Sequence, residues 1–178
     1  MRKIIAITFV ALLITPSVRG QFLAPSPPSP MRSTGDQAKL KFFEGNWTVD
    51  DSLGQTETTR VCAWLPSSRT HMVCRTNWKH GGERRESLGV ISYDSTNRNY
   101  AYHVFGPPGD FGVSRGGPTP AGWQFGSERQ TSQMLGRVRT RYETTPQGNI
   151  RVIAESAVDA DPWSLNYEQL FRRVPEAK

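Results

Sequence analysis

Apolar and polar residues alternate along most of this chain with a period of two, and not with the 3.6-residue period of a helix. The run Arg137–Glu143 alternates strictly, and the run Asn99–Phe105 alternates with bulkier side chains. Only the segment Asp36–Phe43 follows a helical pattern, with Asp36 placed to cap it and Gly45 placed to end it. The pattern predicts an all-β fold preceded by one short helix.

Clusters of Gly, Pro, Asn, Asp and Ser divide the alternating runs at regular intervals. Counting the runs between these clusters gives about nine or ten strands, and their spacing favours up-and-down antiparallel hairpins. Closing a sheet of this many strands removes its exposed edges, so we predict a closed β-barrel. No repeat of fixed period is present, which argues against a propeller or a solenoid. The clusters lie at residues 65–68, 80–82, 94–97, 106–110, 118–120 and 145–148.

The beginning of the chain differs in composition from the rest. Residues 1–20 have two basic residues directly after Met1, continue with an apolar run interrupted only by Thr8, and end in Pro16-Ser17-Val18-Arg19-Gly20. This order is typical of a secretory signal peptide, and the apolar run is shorter than the about 20 residues that a membrane span needs. Residues 21–35 are rich in Pro and Ser, which predicts an extended linker; a docking peptide for a proline-reading domain is the alternative. We therefore expect an exported protein, periplasmic or secreted, with one folded domain at residues 36–174 and no integral membrane span.

The net charge of the folded protein depends on whether residues 1–20 are removed. The whole sequence has a formal net charge of +6. The predicted signal contains three of the 22 basic residues, which leaves 19 basic against 16 acidic residues and a net charge of +3. Such a small surplus gives little support to nucleic-acid binding, and we expect none.

The two cysteines are placed for a disulfide bond. Cys62 and Cys74 lie at equal distances from a turn centred near Ser68, so an antiparallel hairpin would bring them opposite one another. An exported protein meets an oxidising environment, and two cysteines suffice for one bridge. We predict a Cys62–Cys74 disulfide, with two buried free thiols as the alternative.

Several short motifs occur in a definite order along the chain. The first is the segment Leu40–Trp47, with its Gly-Asn-Trp. The later ones are residues 88–94, Tyr100, Gly122 with Trp123, and Arg172 with Arg173. In this order the motifs resemble lipocalin-like (calycin) domains, and in particular the bacterial domain-of-unknown-function family 1579, over about residues 36–174.

This resemblance implies a barrel that is closed at one end, where Trp47 is covered by Arg172 or Arg173 from the last strand. Such a role is structural, because a Trp buries a large apolar face and a guanidinium can stack on it. The family implies no activity. It points to a bacterial source, so we expect the glycosylation sequon at Asn46 to be unmodified.

The candidate ligand-binding residues lie on the strands. Alternating aromatic residues could wall a pocket for an apolar or amphipathic molecule, although the same residues could fill the core of a small barrel. The arginines of the run Arg137–Glu143 share one face, and two arrangements are open. Either Val138 and Tyr142 face inward, because burying unpaired charge is costly, or the arginines face inward and bind a carboxylate or phosphate. The candidate set is Tyr100, Tyr102, His103, Phe105, Trp123, Phe125 and Arg139.

The chain contains no recognisable catalytic or metal-binding motif. There is no Gly-x-Ser-x-Gly elbow, no phosphate-binding glycine loop and no His-Glu-x-x-His. His71, His80 and His103 are not spaced as zinc ligands usually are. None of them lies near the chain end, where analogy with the related nitrobindins would place a haem ligand. We predict no metal and no cofactor.

Residues 106–120 form a Gly- and Pro-rich segment with three interpretations: a lid, a loop at the barrel mouth, or two short strands joined by a sharp turn.

For the whole chain we predict a monomeric, exported, lipocalin-like barrel that binds a small apolar or amphipathic molecule. One alternative is an envelope protein-interaction module with a filled barrel core. The other is a cavity enzyme, for which fold analogy is the only argument.

Overall fold

A computed structural model describes residues 35–51, 56–66, 69–107, 109–130 and 134–175 of the chain. The predicted signal, residues 1–20, and the predicted linker up to residue 34 lie outside the described residues. Ten antiparallel strands form a closed barrel in which each strand pairs with its neighbour along the chain and β1 pairs with β10. The strands are β1 (Gly45–Asp51), β2 (Thr56–Trp64), β3 (His71–His80), β4 (Glu83–Asp94), β5 (Asn99–Gly106), β6 (Asp110–Thr119), β7 (Gly122–Gln130), β8 (Leu135–Thr144), β9 (Ile150–Val158) and β10 (Ser164–Arg173).

The predicted closed antiparallel barrel with one short N-terminal helix is thus confirmed. The helical segment consists of α1 (Gly35–Ala38) and a 3₁₀ helix (Lys39–Phe43). It buries Leu40 and Phe43 against the aromatic core. None of the helices in the described part of the chain is long and apolar enough to cross a membrane.

The barrel has two unlike ends. At the closed end, where β1 begins and β10 ends, the helical segment packs against the side chains that point inward from the strands. At the open end, where β1 ends and β10 begins, no element among the described residues covers the interior. The buried core therefore lies in the closed half and consists mainly of Leu40, Phe43, Trp47, Cys62, Met72, Cys74, Ile91, Tyr100, Trp123, Phe125, Tyr142, Ile150 and Phe171.

The predicted disulfide is confirmed. Cys62 on β2 and Cys74 on β3 are direct partners in the antiparallel register and form a bridge. Both residues are buried in the closed half. The bridge therefore joins neighbouring strands inside the core.

The Gly- and Pro-rich segment is neither a lid nor a long loop. Residues 110–119 form β6, which pairs with β5 on one side and β7 on the other. The amide of Gly109 donates a hydrogen bond to the carbonyl of Gly106 (2.9 Å), so β5 and β6 are joined by a tight turn at the open end. A Cβ on Gly116 would lie 1.8 Å from the carbonyl oxygen of Gln124, which explains why only glycine fits there.

Candidate functional site

A buried arginine lies at the middle of the barrel, where the packed half meets the open half. Arg60 points inward from β2, two residues from Cys62, and only 6% of it is exposed. Its Nη2 donates to the Tyr102 hydroxyl (2.9 Å), and its Nε approaches the Sγ of Cys62 (3.3 Å). Its Cζ lies 5.8 Å from the ring centroid of Tyr102 and 5.4 Å from that of Phe171. The guanidinium is thus held in place by aromatic neighbours.

The positive charge of Arg60 has no carboxylate beside it within the described part of the chain, where no ion pair includes it. An arginine side chain stays protonated in proteins. Among its described neighbours, only a tyrosine that had lost its hydroxyl proton could balance the charge of Arg60. Burial, however, raises the pKa of the Tyr142 hydroxyl. Tyr142 is therefore neutral at physiological pH. The site carries a net positive charge in a buried environment.

Two adjoining cavities lie on the open side of this layer. One has a volume of about 170 Å³ and exposes Arg60 to the interior. The other has a volume of about 150 Å³, and Tyr102 lines both. The first cavity is lined by Val49, Thr58, Arg60, Thr76, Trp78, Ser87, Tyr102, Gln169 and Phe171. The second is lined by Tyr102, Val104, Gly112, Val113, Ser114, Phe125, Gly126, Ser127, Val138 and Thr140.

Thr58 is a second unusual residue in the first cavity. It is buried, and its Oγ1 has no hydrogen-bond partner among the described residues. A buried hydroxyl without a partner costs free energy, so such groups are rare in folded proteins. Because Thr58 and Arg60 are two residues apart on β2, they face the same cavity.

A glycine positions Tyr102 between the two cavities. Gly89 on β4 is the register partner of Val104, and its missing side chain leaves room for the Tyr102 ring. A Cβ at this position would lie 2.7 Å from Cε2 and 2.8 Å from the hydroxyl oxygen of Tyr102. Gly89 therefore allows the tyrosine to lie across the interior and reach Arg60.

Three of the sequence-predicted ligand residues lie in the closed-half core. Trp123 packs edge to face against Tyr100 (ring centroids 4.7 Å apart) and is stacked at 5.9 Å on Phe125. Tyr100 donates its hydroxyl hydrogen to the backbone carbonyl of Asp36 (2.6 Å), and burial raises its pKa to about 12. These residues anchor the helical segment. Tyr102 is the one aromatic residue of the set that reaches both cavities.

His103 and Phe105 lie on the outer face of β5, away from the interior. Both pack against Phe111 of β6, with ring centroids 6.2 Å and 5.2 Å apart. Phe105 is 45% exposed and Phe111 is 61% exposed. The expectation that these two residues wall the same pocket as Tyr100 and Tyr102 is corrected here, because successive residues of a strand point to opposite faces.

Arg139 also lies outside the barrel. Its guanidinium donates two hydrogen bonds to Glu155 (2.8 and 3.2 Å) and lies 4.2 Å from the ring centroid of Trp163. Arg141 donates to the same carboxylate (3.2 Å), and the hydrogen bond from Arg139 is the main reason why the pKa of Glu155 is lowered. Tyr142 is buried in the core. Of the two arrangements of β8, the one with inward-facing arginines is wrong.

Arg173, and not Arg172, covers Trp47. Its Cζ lies 4.4 Å from the Trp47 ring centroid, and its Nη2 donates to the carbonyl of Glu44 (3.1 Å). The Trp47 indole in turn donates to the carbonyl of Phe43 (3.2 Å). Arg172 points outward and pairs with Asp50 (2.7 Å).

Arg60 and Thr58 were missing from the sequence-predicted set. The signal that could have found them is the disulfide, because a bridge that is buried places Cys62 inside and Arg60, two residues earlier, on the same face.

Of the histidines, His71 contacts the hydroxyl of its neighbour Thr70 (2.7 Å). Within the described ranges, no group of His, Cys, Asp or Glu side chains is arranged to hold a metal ion.

Comparison with known proteins does not identify the chain. No family model matches it, and no match was found among the curated proteins. The resemblance to family 1579 accordingly stays a prediction.

Proposed function

We propose that this protein binds a small amphipathic molecule in the open half of its barrel. The observation that carries the proposal is the contrast inside the barrel, where the closed half is filled and the open half retains the cavities above Arg60 and beside Tyr102. Binding pockets for small molecules usually have volumes of about 300–1,000 Å³. Each cavity is smaller than that, so the ligand is short, or it occupies both cavities, or its tail protrudes from the mouth.

Export and family membership are part of the proposal. The Cys62–Cys74 disulfide supports an oxidising compartment, because such bonds are rare in proteins that stay in the cytosol. The Arg173 guanidinium over Trp47 is the arrangement that the resemblance to family 1579 implies, and it supports that assignment. We propose a monomeric, exported, lipocalin-like protein on these grounds.

Native mass spectrometry of protein from the exported fraction tests the binding function. We expect a defined extra mass that disappears after organic extraction, and the same spectrum reports the oligomeric state. The variant Thr76→Phe should lose the extra mass, because Thr76 lines the larger cavity. The control Asn77→Phe places the same ring on the other face of β3 and should keep it. No extra mass in the wild type, and none after exposure to lipid extracts, would reject the proposal.

The outer aromatic patch formed by His103, Phe105 and Phe111 supports a second candidate, an envelope protein-interaction module. Phe105 and Phe111 are both exposed and lie side by side, and aromatic residues are enriched at protein interfaces. Cross-linking in the native envelope, with Phe111→Ser compared with the wild type, tests this candidate. A cross-linked partner that disappears in the variant would support it, and an identical pattern would oppose it.

A further inference from the structure

We infer that the ligand carries a carboxylate, and that Arg60 and Thr58 bind this group at the floor of the open half. The inference rests on the proposed function, because it assumes a ligand inside the barrel. It assigns the chemical class of that ligand from two buried polar residues of β2.

The first step concerns charge. The Arg60 guanidinium is more than nine-tenths buried, and its described neighbours are the side chains of Tyr102, Tyr142, Cys62 and Phe171, none of which is a carboxylate. A buried charge is costly unless an opposite charge and hydrogen bonds accompany it. A hydrophobic residue at this position would fill the barrel at lower cost. A carboxylate entering the cavity would supply the negative charge that the described residues lack.

The second step concerns hydrogen-bond donors. The Thr58 hydroxyl is buried and has no partner in the described structure, although it faces the same cavity as Arg60. Thr76 and Ser87 add hydroxyls to the lining of that cavity. A guanidinium and hydroxyls are donors that suit the oxygens of an anion, and charge-assisted hydrogen bonds of this kind are the strong ones.

The third step distinguishes a carboxylate from a phosphate. Arg60 is the one charged residue among those that line this cavity in the described part of the chain. A phosphate monoester carries about −1.5 to −2 charges at neutral pH, so one guanidinium would leave much of its charge unbalanced in a buried site. A carboxylate carries a single charge and matches one arginine.

The fourth step concerns the rest of the ligand. Val49, Trp78 and Phe171 give the cavity an apolar wall, and Tyr102 separates it from the second cavity. An alkyl or aryl chain attached to the carboxylate would lie against this wall and extend toward Val104 and the mouth. The predicted ligand is therefore a small amphipathic monocarboxylic acid.

The test compares two probes of the same chain length and nearly the same shape, the anion octanoate and the uncharged octanamide, by isothermal titration calorimetry. We expect the extracted wild-type protein to bind octanoate at least tenfold more tightly than octanamide. In Arg60→Met this preference should disappear, with octanamide binding retained. Thr58→Val should weaken octanoate binding about threefold, and Arg75→Met, which removes an exposed arginine paired with Glu86, should change nothing.

The melting temperature separates a binding role from a structural one. If Arg60 is kept for a ligand, Arg60→Met should melt at the same temperature as the apo wild type or higher, because the variant no longer buries an unbalanced charge. A lower melting temperature, together with an unchanged preference for octanoate, would assign Arg60 a purely structural role and overturn the inference.

The affinities of the wild-type protein for octanoate and octanamide also test the inference without any variant. Equal affinity for octanoate and octanamide would overturn the carboxylate inference and leave the proposed function intact. Failure of both probes to bind, together with no co-purified molecule in the native mass spectrum, would overturn the proposed function as well.

Discussion

The closed and open halves of this barrel are built from the same ten strands but contain different side chains. In the closed half, the Phe43 ring packs edge to face against Trp123 and Tyr142, with centroid distances of 5.1 and 5.4 Å. In the open half, the interior positions include Thr58, Thr76 and Ser87, and cavities remain between them. The alternation of the strands does not change from one half to the other, so the difference lies only in which residues occupy the inward positions.

This contrast indicates where stability resides and, under the proposed function, where the ligand binds. Apolar burial provides most of the free energy of folding, and the closed half holds most of it. Strands that are fixed at one end can continue into the open half with polar inward residues that would not form a core by themselves. We expect the closed half to be sensitive to truncation of side chains and the open half to tolerate it, with binding showing the opposite sensitivity.

The largest effect should come from Trp123→Ala. Trp123 is 3% exposed and packs against Phe43, Tyr100 and Phe125. Its truncation should lower the free energy of unfolding by about 3–5 kcal/mol in urea titrations, because a large cavity is left in the core. The matched variant Trp78→Ala, in the open half, should cost less than about 2 kcal/mol. Equal losses would show that the two halves do not differ in this way.

The disulfide should have the next largest effect. A double variant, Cys62→Ala with Cys74→Ala, should lose about 2–4 kcal/mol of unfolding free energy, since the bridge restricts the unfolded chain. The measurement is the denaturation midpoint with and without a reducing agent. The reductant should lower the midpoint of the wild type and leave that of the double variant unchanged; a shift of both would point to another cause.

The two arginines at the end of β10 allow a smaller, paired comparison. Arg173→Ala removes the cover of Trp47 and the hydrogen bond to the Glu44 carbonyl, which should cost about 1–2 kcal/mol. Arg172→Ala removes an exposed pair with Asp50, which should cost less than about 0.5 kcal/mol and only at low salt. Thermal melts at low and high salt distinguish the two. A larger loss for Arg172→Ala would contradict the assignment of Arg173 as the structural residue.

The smallest effect depends on pH and concerns the turn between β4 and β5. The pKa of Asp94 is lowered to about 2, mainly by the hydrogen bonds from the side chain and backbone of Asn97, with Arg115 also contributing. A carboxylate with a folded pKa below its unfolded value of about 3.9 stabilises the protein above that value, and this stability is lost as the pH falls toward 2. The melting temperatures of wild type and Asp94→Asn should therefore differ at pH 6 and approach each other as the pH falls through 2. A constant difference at every pH would exclude the carboxylate as the cause.

The strands and the disulfide could be predicted because each rests on a local pattern. Alternation and turn clusters define the hairpins, and the spacing of Cys62 and Cys74 fixes one register. The facing of individual side chains was harder to predict in β5, because Tyr100 and Tyr102 on the inner face are followed by His103 and Phe105 on the outer face. Because aromatic residues occur on both faces of β5, the sequence pattern does not show which face points into the barrel.

Arg60 could not be found from composition, since charged residues in a strand normally face solvent. Its neighbours Thr58 and Thr59 are both polar, so the alternation in this part of β2 gives no indication of direction. The burial of Arg60 depends on Phe171 and Tyr102, which are distant in the sequence and approach it only when the barrel closes. Long-range packing of this kind leaves no mark on the alternation itself, and the one nearby indication is that Arg60 lies two residues before a cysteine predicted to form a disulfide.

The pairing of β1 with β10 also has a consequence for assembly. Trp47 opposes Arg173, and the amide of Val174 donates to the carbonyl of Asn46 (2.8 Å), so the barrel is closed by its first and last strands. Of the ten strands β10 is the last in sequence, and without it β1 and β9 present unpaired edges. A fragment that ends before Ser164 should accept a synthetic β10 peptide by strand complementation. The pairing of β10 with its two neighbours could thus be used to rebuild the barrel from two separate fragments when they are mixed.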